Sequence, residues 1–190
     1  HFISRLSFFR LLYQKLLPVV CPSCSTNFQD LVESASSSEE VLELQKRIDE
    51  VFSDVLNKDS IILKVRNPKG CANCKHSGVI GRTICGEIIS PDFELLNYFK
   101  MQDPTGALKY WLETSDDNVL SSNMKGKTIQ EHAIYKMAKG IISPFDLESA
   151  FGPINATKLK RLQLSEQKTN IDMKNMMKFF SVNDETLNKV

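Results

Sequence analysis

The chain has 190 residues, and its 24 Lys and Arg against 23 Asp and Glu leave a net charge of +1. That balance argues against a globally basic nucleic-acid binder. With 42% hydrophobic and 25% charged residues it has the profile of a globular protein large enough to bury a core, and disorder over the whole length is excluded.

In chain order, Phe2 to Leu17 reads as a helix with apolar residues on more than one face, limited by Pro18. Arg5, Arg10 and Lys15 interrupt this stretch, so it is neither a membrane span nor a signal peptide. Because the chain opens on His1 and not on Met, it reads as a fragment or a processed product. Residues 25–38 are polar and read as a loop. Ser36 and Glu39 form a capping-box pattern before a helix reaching about Leu56. Its buried stripe is Val41, Leu44, Ile48, Val51 and Val55, at 3.6-residue spacing. Residues 30–60 hold nine acidic and three basic side chains, which read as a solvated outer face.

Ile61 to Val65 reads as a short strand, followed by a turn at Asn67-Pro68-Lys69-Gly70. Val79 to Ile89 reads as a strand pair or one bent strand, with Gly81 and Gly86 as punctuation. Ser90-Pro91 predicts a helix start, and a second short helix is expected from Thr105 to Leu112. Thr128 to Lys139 is a third, closed by Gly140, and Ser143-Pro144 opens a fourth that ends at Gly152-Pro153. The last 35 residues carry seven basic and four acidic side chains, with a cluster of Met173, Met176, Met177, Phe179 and Phe180. That cluster reads either as a docking helix or as a tail that folds on a partner.

The chemistry lies in the cysteines. Cys21-Pro22-Ser23-Cys24 and Cys71-Ala72-Asn73-Cys74 are two CxxC pairs, which place four thiolates on two tight turns. Four soft ligands on such turns suit a tetrahedral metal. The 46 residues between the pairs exceed a compact zinc ribbon, so a folded segment must bring the turns together. Structural zinc on Cys21, Cys24, Cys71 and Cys74 is the preferred reading. Disulfides and a rubredoxin-type iron are the alternatives, and an odd cysteine count speaks against the first. Cys85 is expected to be a small buried residue in a strand, and His76 a solvent-facing loop residue. Arg82 is expected to pair with an acidic side chain such as Glu87 or to reach a neighbouring subunit.

Ser121 to Thr128 approaches the phosphate-binding pattern GxxxxGK[ST] but has serine where the first glycine belongs. That glycine lets the backbone aim its N–H groups at phosphate, and no apolar strand enters the loop. The segment is therefore not read as a nucleotide site. His1, His76 and His132 are scattered, and nothing assembles a hydrolytic triad.

The run Gly70-Cys71-Ala72-Asn73-Cys74-Lys75-His76-Ser77-Gly78-Val79-Ile80-Gly81-Arg82-Thr83, with Glu87, Ile88 and Ile89 after it, resembles the tetracysteine segment of the assembly ATPases of type II secretion and type IV pili. Upstream, Gln14 to Cys24 is similar to that family's approach to its first cysteine pair. Downstream, Thr128-Ile129, Lys136, Gly140, Ser143 and Glu148 keep its spacing. Lys15, Val79 and Ile84 depart from the usual residues, as in a divergent pilus or conjugative-pilus relative.

The resemblance implies the C-terminal part of a hexameric motor of the bacterial cytoplasm, peripheral at the inner membrane. Its P-loop core, with ATP and magnesium, would precede residue 1. The implied partners are the rest of the motor and an inner-membrane platform protein, with no nucleic acid and no membrane span. No catalytic residue carries over, and the metal ligands Cys21, Cys24, Cys71 and Cys74 do. The expected fold is α+β and mostly helical: 1–20 the last helix of the core, 21–90 a tetracysteine zinc subdomain with few short strands, 91–155 a helical bundle, and 156–190 a basic tail. The rival readings are a zinc-ribbon-like nucleic-acid-binding or adaptor module and a standalone enzyme.

Overall fold

The computed structural model describes residues 10–34, 38–56, 60–116 and 118–163. Residues 1–157 form one compact unit and residues 158–190 a second, of which the described residues 158–163 are helical. The expected Met/Phe cluster lies outside the described residues. The first unit is α+β, with two small antiparallel sheets among short helices.

The longest sheet is a ribbon of β1 (Leu11–Val20) and β4 (Val79–Ile89), paired from Leu11 opposite Ile89 to Val20 opposite Val79. This corrects the reading of residues 11–17 as helix; residues 2–9 lie outside the described residues. The run Leu11 to Val20 has no helical stripe, and the Ile-rich strand from Val79 supplies cross-strand partners, so pairing overrides local propensity. Pro18, expected as a helix stop, lies within β1 opposite Arg82. A strand at a sheet edge tolerates a proline because one side of it makes no ladder bonds. The expectation of one bent strand holds, with a register shift between Val19 and Val20.

After the first cysteine pair come β2 (Thr26–Asn27) and α1 (Phe28–Ser34), where a loop was expected. Phe28 decides this: it is 1% exposed and anchors α1 in the core. The α2 helix (Glu39–Val51) buries Val41, Leu44, Ile48 and Val51 as the spacing predicts, but it stops short of the expected Leu56 and leaves Val55 beyond its end, half-buried. It begins from Ser38, not from Ser36, and the Ser38 side chain makes no capping bond. The expected strand at residues 61–65 shortens to β3 (Lys64–Val65), which pairs with β2.

Then follow α3 (Phe93–Lys100), α4 (Pro104–Glu113), α5 (Ile129–Ala138) and α6 (Pro144–Phe151). The α3 cap is Asp92, whose carboxylate accepts from Leu95 N–H at 2.9 Å, and not the expected Ser90. For α5, Thr128 and Glu131 form a reciprocal capping box. Leu17, Phe28, Leu44, Ile48, Val65, Cys85, Ile134, Met137, Leu147 and Ile154 pack in one core. The cysteine-bearing segment and the closing helices therefore share a single hydrophobic interior. Arg47 joins α2 to α6 by a bidentate pair with Glu148 at 2.7 and 2.8 Å.

The α5 helix also covers the outer edge of β4. His132 and Lys136, one turn apart, meet the backbone that the ribbon leaves unpaired: Gly86 N–H donates to His132 Nδ1 at 3.0 Å and Lys136 Nζ donates to Ile84 O at 2.5 Å, with a further bond from Lys136 Nζ to the Thr83 side-chain Oγ1 at 2.7 Å. Burial lowers the His132 pKa, with Lys136 and Lys127 acting in the same direction against the raising contact with Gly86. The unfolded chain thus takes up this proton first, near the ordinary value of about 6.5. The stability that neutral His132 contributes is complete above that value and is lost as pH falls toward the folded pKa. Denaturant midpoints of wild type and His132→Gln from pH 7.5 to 5.5 test this. The wild-type curve should fall more steeply; parallel curves would remove His132 as the cause.

Candidate metal centre

The first cysteine pair sits on the turn that follows β1, and the second on a single 3-10 turn over Ala72–Cys74 that precedes β4. Antiparallel pairing of β1 with β4 brings the two turns to the same end of the ribbon. The four sulfurs of Cys21, Cys24, Cys71 and Cys74 all lie within 4.8 Å of one another. Cys21 to Cys71, Cys24 to Cys74 and Cys71 to Cys74 are each 3.8 Å apart. A disulfide needs about 2.05 Å, so these are separate thiols. Zinc–sulfur bonds of about 2.3 Å in a tetrahedron give sulfur–sulfur edges of about 3.8 Å. The spacing fits a metal ion, and all four ligands are protein.

Backbone geometry holds the cage. Cys24 N–H and Ser25 N–H donate to Cys21 O at 3.3 and 2.9 Å, closing the first knuckle. In the second, Cys74 N–H and His76 N–H donate to Cys71 O at 3.2 and 2.9 Å. Gly78 clamps the two together: its N–H donates to Cys74 Sγ at 3.2 Å and its carbonyl accepts Cys21 N–H at 2.9 Å. Its φ is +74°, and a Cβ there would lie 2.2 Å from Asn67 O, so only glycine fits. Asn73 Nδ2 donates to Ser23 Oγ at 3.0 Å, a side-chain link between the turns.

The electrostatics also ask for a cation. Burial pushes the Cys74 thiol up, but N–H donation from Cys71 and Gly78 outweighs it and brings the thiol down to about 6. Burial and then its thiol neighbours Cys21, Cys71 and Cys74 push Cys24 up to about 12. One thiolate is favoured while a second next to it is opposed. A divalent cation removes that conflict, because a coordinated thiol is deprotonated outright. The N–H groups aimed at Cys74 then form the outer layer that orients the ligands.

Cys85 is outside the cluster, fully buried, with its thiol pushed up to about 11 by burial. It is the inert packing residue expected. His76 is exposed on the second knuckle at φ +60°, also as expected, and is not among the convergent ligands. Arg82 and Glu87 are of opposite parity on β4, so they point to opposite faces of the ribbon and do not form the expected pair. Glu87 instead accepts Ile129 N–H at 3.1 Å, at the start of α5.

The GKT-like stretch is structural. Lys127 is 2% exposed and its Nζ donates to the carbonyls of Asn118, Val119 and Ser121. The loop is wound around its own lysine, where a phosphate-binding loop would present that lysine outward. Sequence reasoning did not find the Gly78 clamp or the His132/Lys136 edge cover. The i, i+4 spacing of His132 and Lys136 was visible, but their target became so only once α5 was laid along β4.

No helix among the described residues is long and apolar enough to cross a membrane. Scanned against models of protein families, the chain matches none, and comparison with curated proteins likewise finds no match.

Proposed function

We propose that Cys21, Cys24, Cys71 and Cys74 hold one structural zinc ion, and that the chain is the metal-pinned C-terminal part of a hexameric traffic ATPase of type II secretion or type IV pilus assembly. The observation that carries the metal assignment is the set of 3.8 Å sulfur–sulfur edges, which match tetrahedral thiolate zinc. With four protein ligands no coordination position remains for substrate or water, so the ion cross-links and does no chemistry.

The motor assignment is supported by which residues the fold brings together. The two runs that carry the resemblance, Gln14 to Cys24 and Gly70 to Thr83, become one ribbon with its knuckles. That unit ties to the closing helices through Val20 N–H to Ile141 O at 3.0 Å and Glu87 to Ile129 N–H at 3.1 Å. A rigid link of this kind suits a part that transmits movement from an ATP-hydrolysing core to an inner-membrane platform protein on the cytoplasmic side. ATP and magnesium belong to the P-loop core of the full-length protein.

A peptide map of the protein captured from its source cells tests this reading. Peptides preceding His1 that contain a complete GxxxxGK[ST] are expected. A native chain that starts at or near His1 would leave no ATP site and would turn the reading to a zinc-pinned adaptor.

A further inference from the structure

Away from the cysteines, a cavity of about 320 Å³ lies between the start of α3, the end of α4 and the loop that precedes α5. That volume is at the lower end of the range of small-molecule pockets, roughly 300–1,000 Å³. Its apolar lining is Leu95 and Trp111, which are 3% and 6% exposed, with Ile88 and Met124.

The walls are fixed by the fold itself. Helices α3 and α4 pack through Tyr98 and Tyr110, with ring centroids 5.8 Å apart. The loop is wound around the buried Lys127, whose Nζ donates to three of its carbonyls. Gly126 then lets the loop close onto the end of α4. Its φ is +64°, and a Cβ there would lie 2.5 Å from Ser115 N and 2.8 Å from Trp111 O. Met124 and Lys125 are carried to the cavity by this closure.

The polar groups around the cavity are not balanced. Asp92 is already engaged: its Oδ1 accepts Leu95 N–H at 2.9 Å and its Oδ2 accepts the Tyr110 hydroxyl at 2.6 Å. Two donors are left over. The indole N–H of Trp111 has no hydrogen-bond partner among the described residues. It is also not one of the sealed polar atoms, which are Gln45 Oε1 and Asp146 Oδ2, so it reaches open space, and the space that Trp111 lines is the cavity. The Lys125 ammonium likewise makes no ion pair among the described residues, although its charge acts on Asp92. Two free donors, one of them cationic, beside an apolar floor call for a ligand that brings an apolar body and a negatively charged acceptor.

We infer that this cavity is a binding site for a small aromatic carboxylate, its ring against Trp111 and Leu95 and its carboxylate accepting from the Trp111 indole N–H and from Lys125. The assignment stands apart from the zinc and motor readings, since it uses neither the cysteines nor the resemblance.

The test is direct because Trp111 is the one tryptophan of the chain, so its emission reports on the site. The 190-residue chain is titrated with phenylacetate, phenylacetamide and phenethylamine, which share one ring and differ in the charge at its end. Phenylacetate is expected to shift the emission saturably and to bind roughly tenfold more tightly than either of the others, the worth of a hydrogen bond to a charged group. Lys125→Met should erase that preference, and Ser90→Phe, at another lining residue, should weaken phenylacetate binding tenfold or more. Ser90 and Lys125 are exposed, so neither change disturbs the core. Should Ser90→Phe fail to fold, Lys125→Met decides alone. No saturation by about 10 mM phenylacetate, a weak limit for a ligand of this size, would overturn the inference. So would equal or tighter binding of phenethylamine, a preference that survives Lys125→Met, or a phenylacetate response that folded Ser90→Phe leaves unchanged, which would place the binding elsewhere.

Discussion

Cys74→Ser is expected to release the metal and to loosen residues 18–90. Cys74 is the ligand most tightly bound into its surroundings, accepting Cys71 N–H and Gly78 N–H at 3.1 and 3.2 Å. Structural zinc supplies on the order of 10–16 kcal/mol in small zinc-finger peptides, as large as the whole net stability of a domain, about 5–15 kcal/mol. The effect here should be large but not total, because Leu44, Ile48, Met137 and Leu147 form a core without any ligand among them. The expected result is a chain without zinc whose melting transition falls by more than about 10 °C, since each kcal/mol moves a domain of this size by about 2–4 °C. Hydrogen exchange should rise first around both knuckles and the ribbon, and later in α2 and α5. Cys21→Ser should do the same, as it removes the other buried ligand. Full zinc content with an unchanged melting curve in either variant would contradict the account. Acidification should mimic both variants, because thiolate ligands compete with protons for the metal.

Phe28→Ala is expected to cost about 3–5 kcal/mol, the usual range for removing a buried aromatic ring. Phe28 is the residue that turns an expected loop into α1. Its ring is 1% exposed and packs 6.3 Å from the Phe145 ring of α6, while its N–H donates to Leu63 O at 3.0 Å. It therefore ties the segment after the first knuckle both to Leu63, just before β3, and to the closing helices. Its loss differs from that of a ligand: urea unfolding should shift to lower concentration while zinc stoichiometry stays unchanged. Phe28→Leu should recover part of the loss, because it keeps apolar volume. A change below about 1 kcal/mol would mean that α1 is not anchored in the way the packing indicates.

The metal cage was legible in the sequence because it rests on local chemistry: two CxxC turns need only thiols at short spacing. The distance between them was legible only as a requirement, and the ribbon supplies the answer. Helix α2 was readable from its stripe, and α5 from Thr128 and Gly140, since periodicity and caps are local signals. Residues 11–17 were not, because an apolar run without a stripe fits a buried helix or a strand equally. Only the partner 66 or more residues further on decides, as in Leu17 opposite Thr83. Phe28 was hidden for a related reason. One aromatic among Ser, Thr, Asn and Asp reads as loop until β3 and α6 arrive to cover it. Lys127 shows the converse: a motif-like string whose lysine turns inward to its own loop carbonyls.

The central claim is that four thiolates bind one zinc ion tetrahedrally. X-ray absorption at the zinc edge on the purified chain tests it most directly, together with metal content. The account predicts one zinc per chain with about four sulfur neighbours near 2.3 Å and no nitrogen shell. A shell containing oxygen or nitrogen, or a chain that stays folded and metal-free with disulfides between the cysteine pairs, would contradict it.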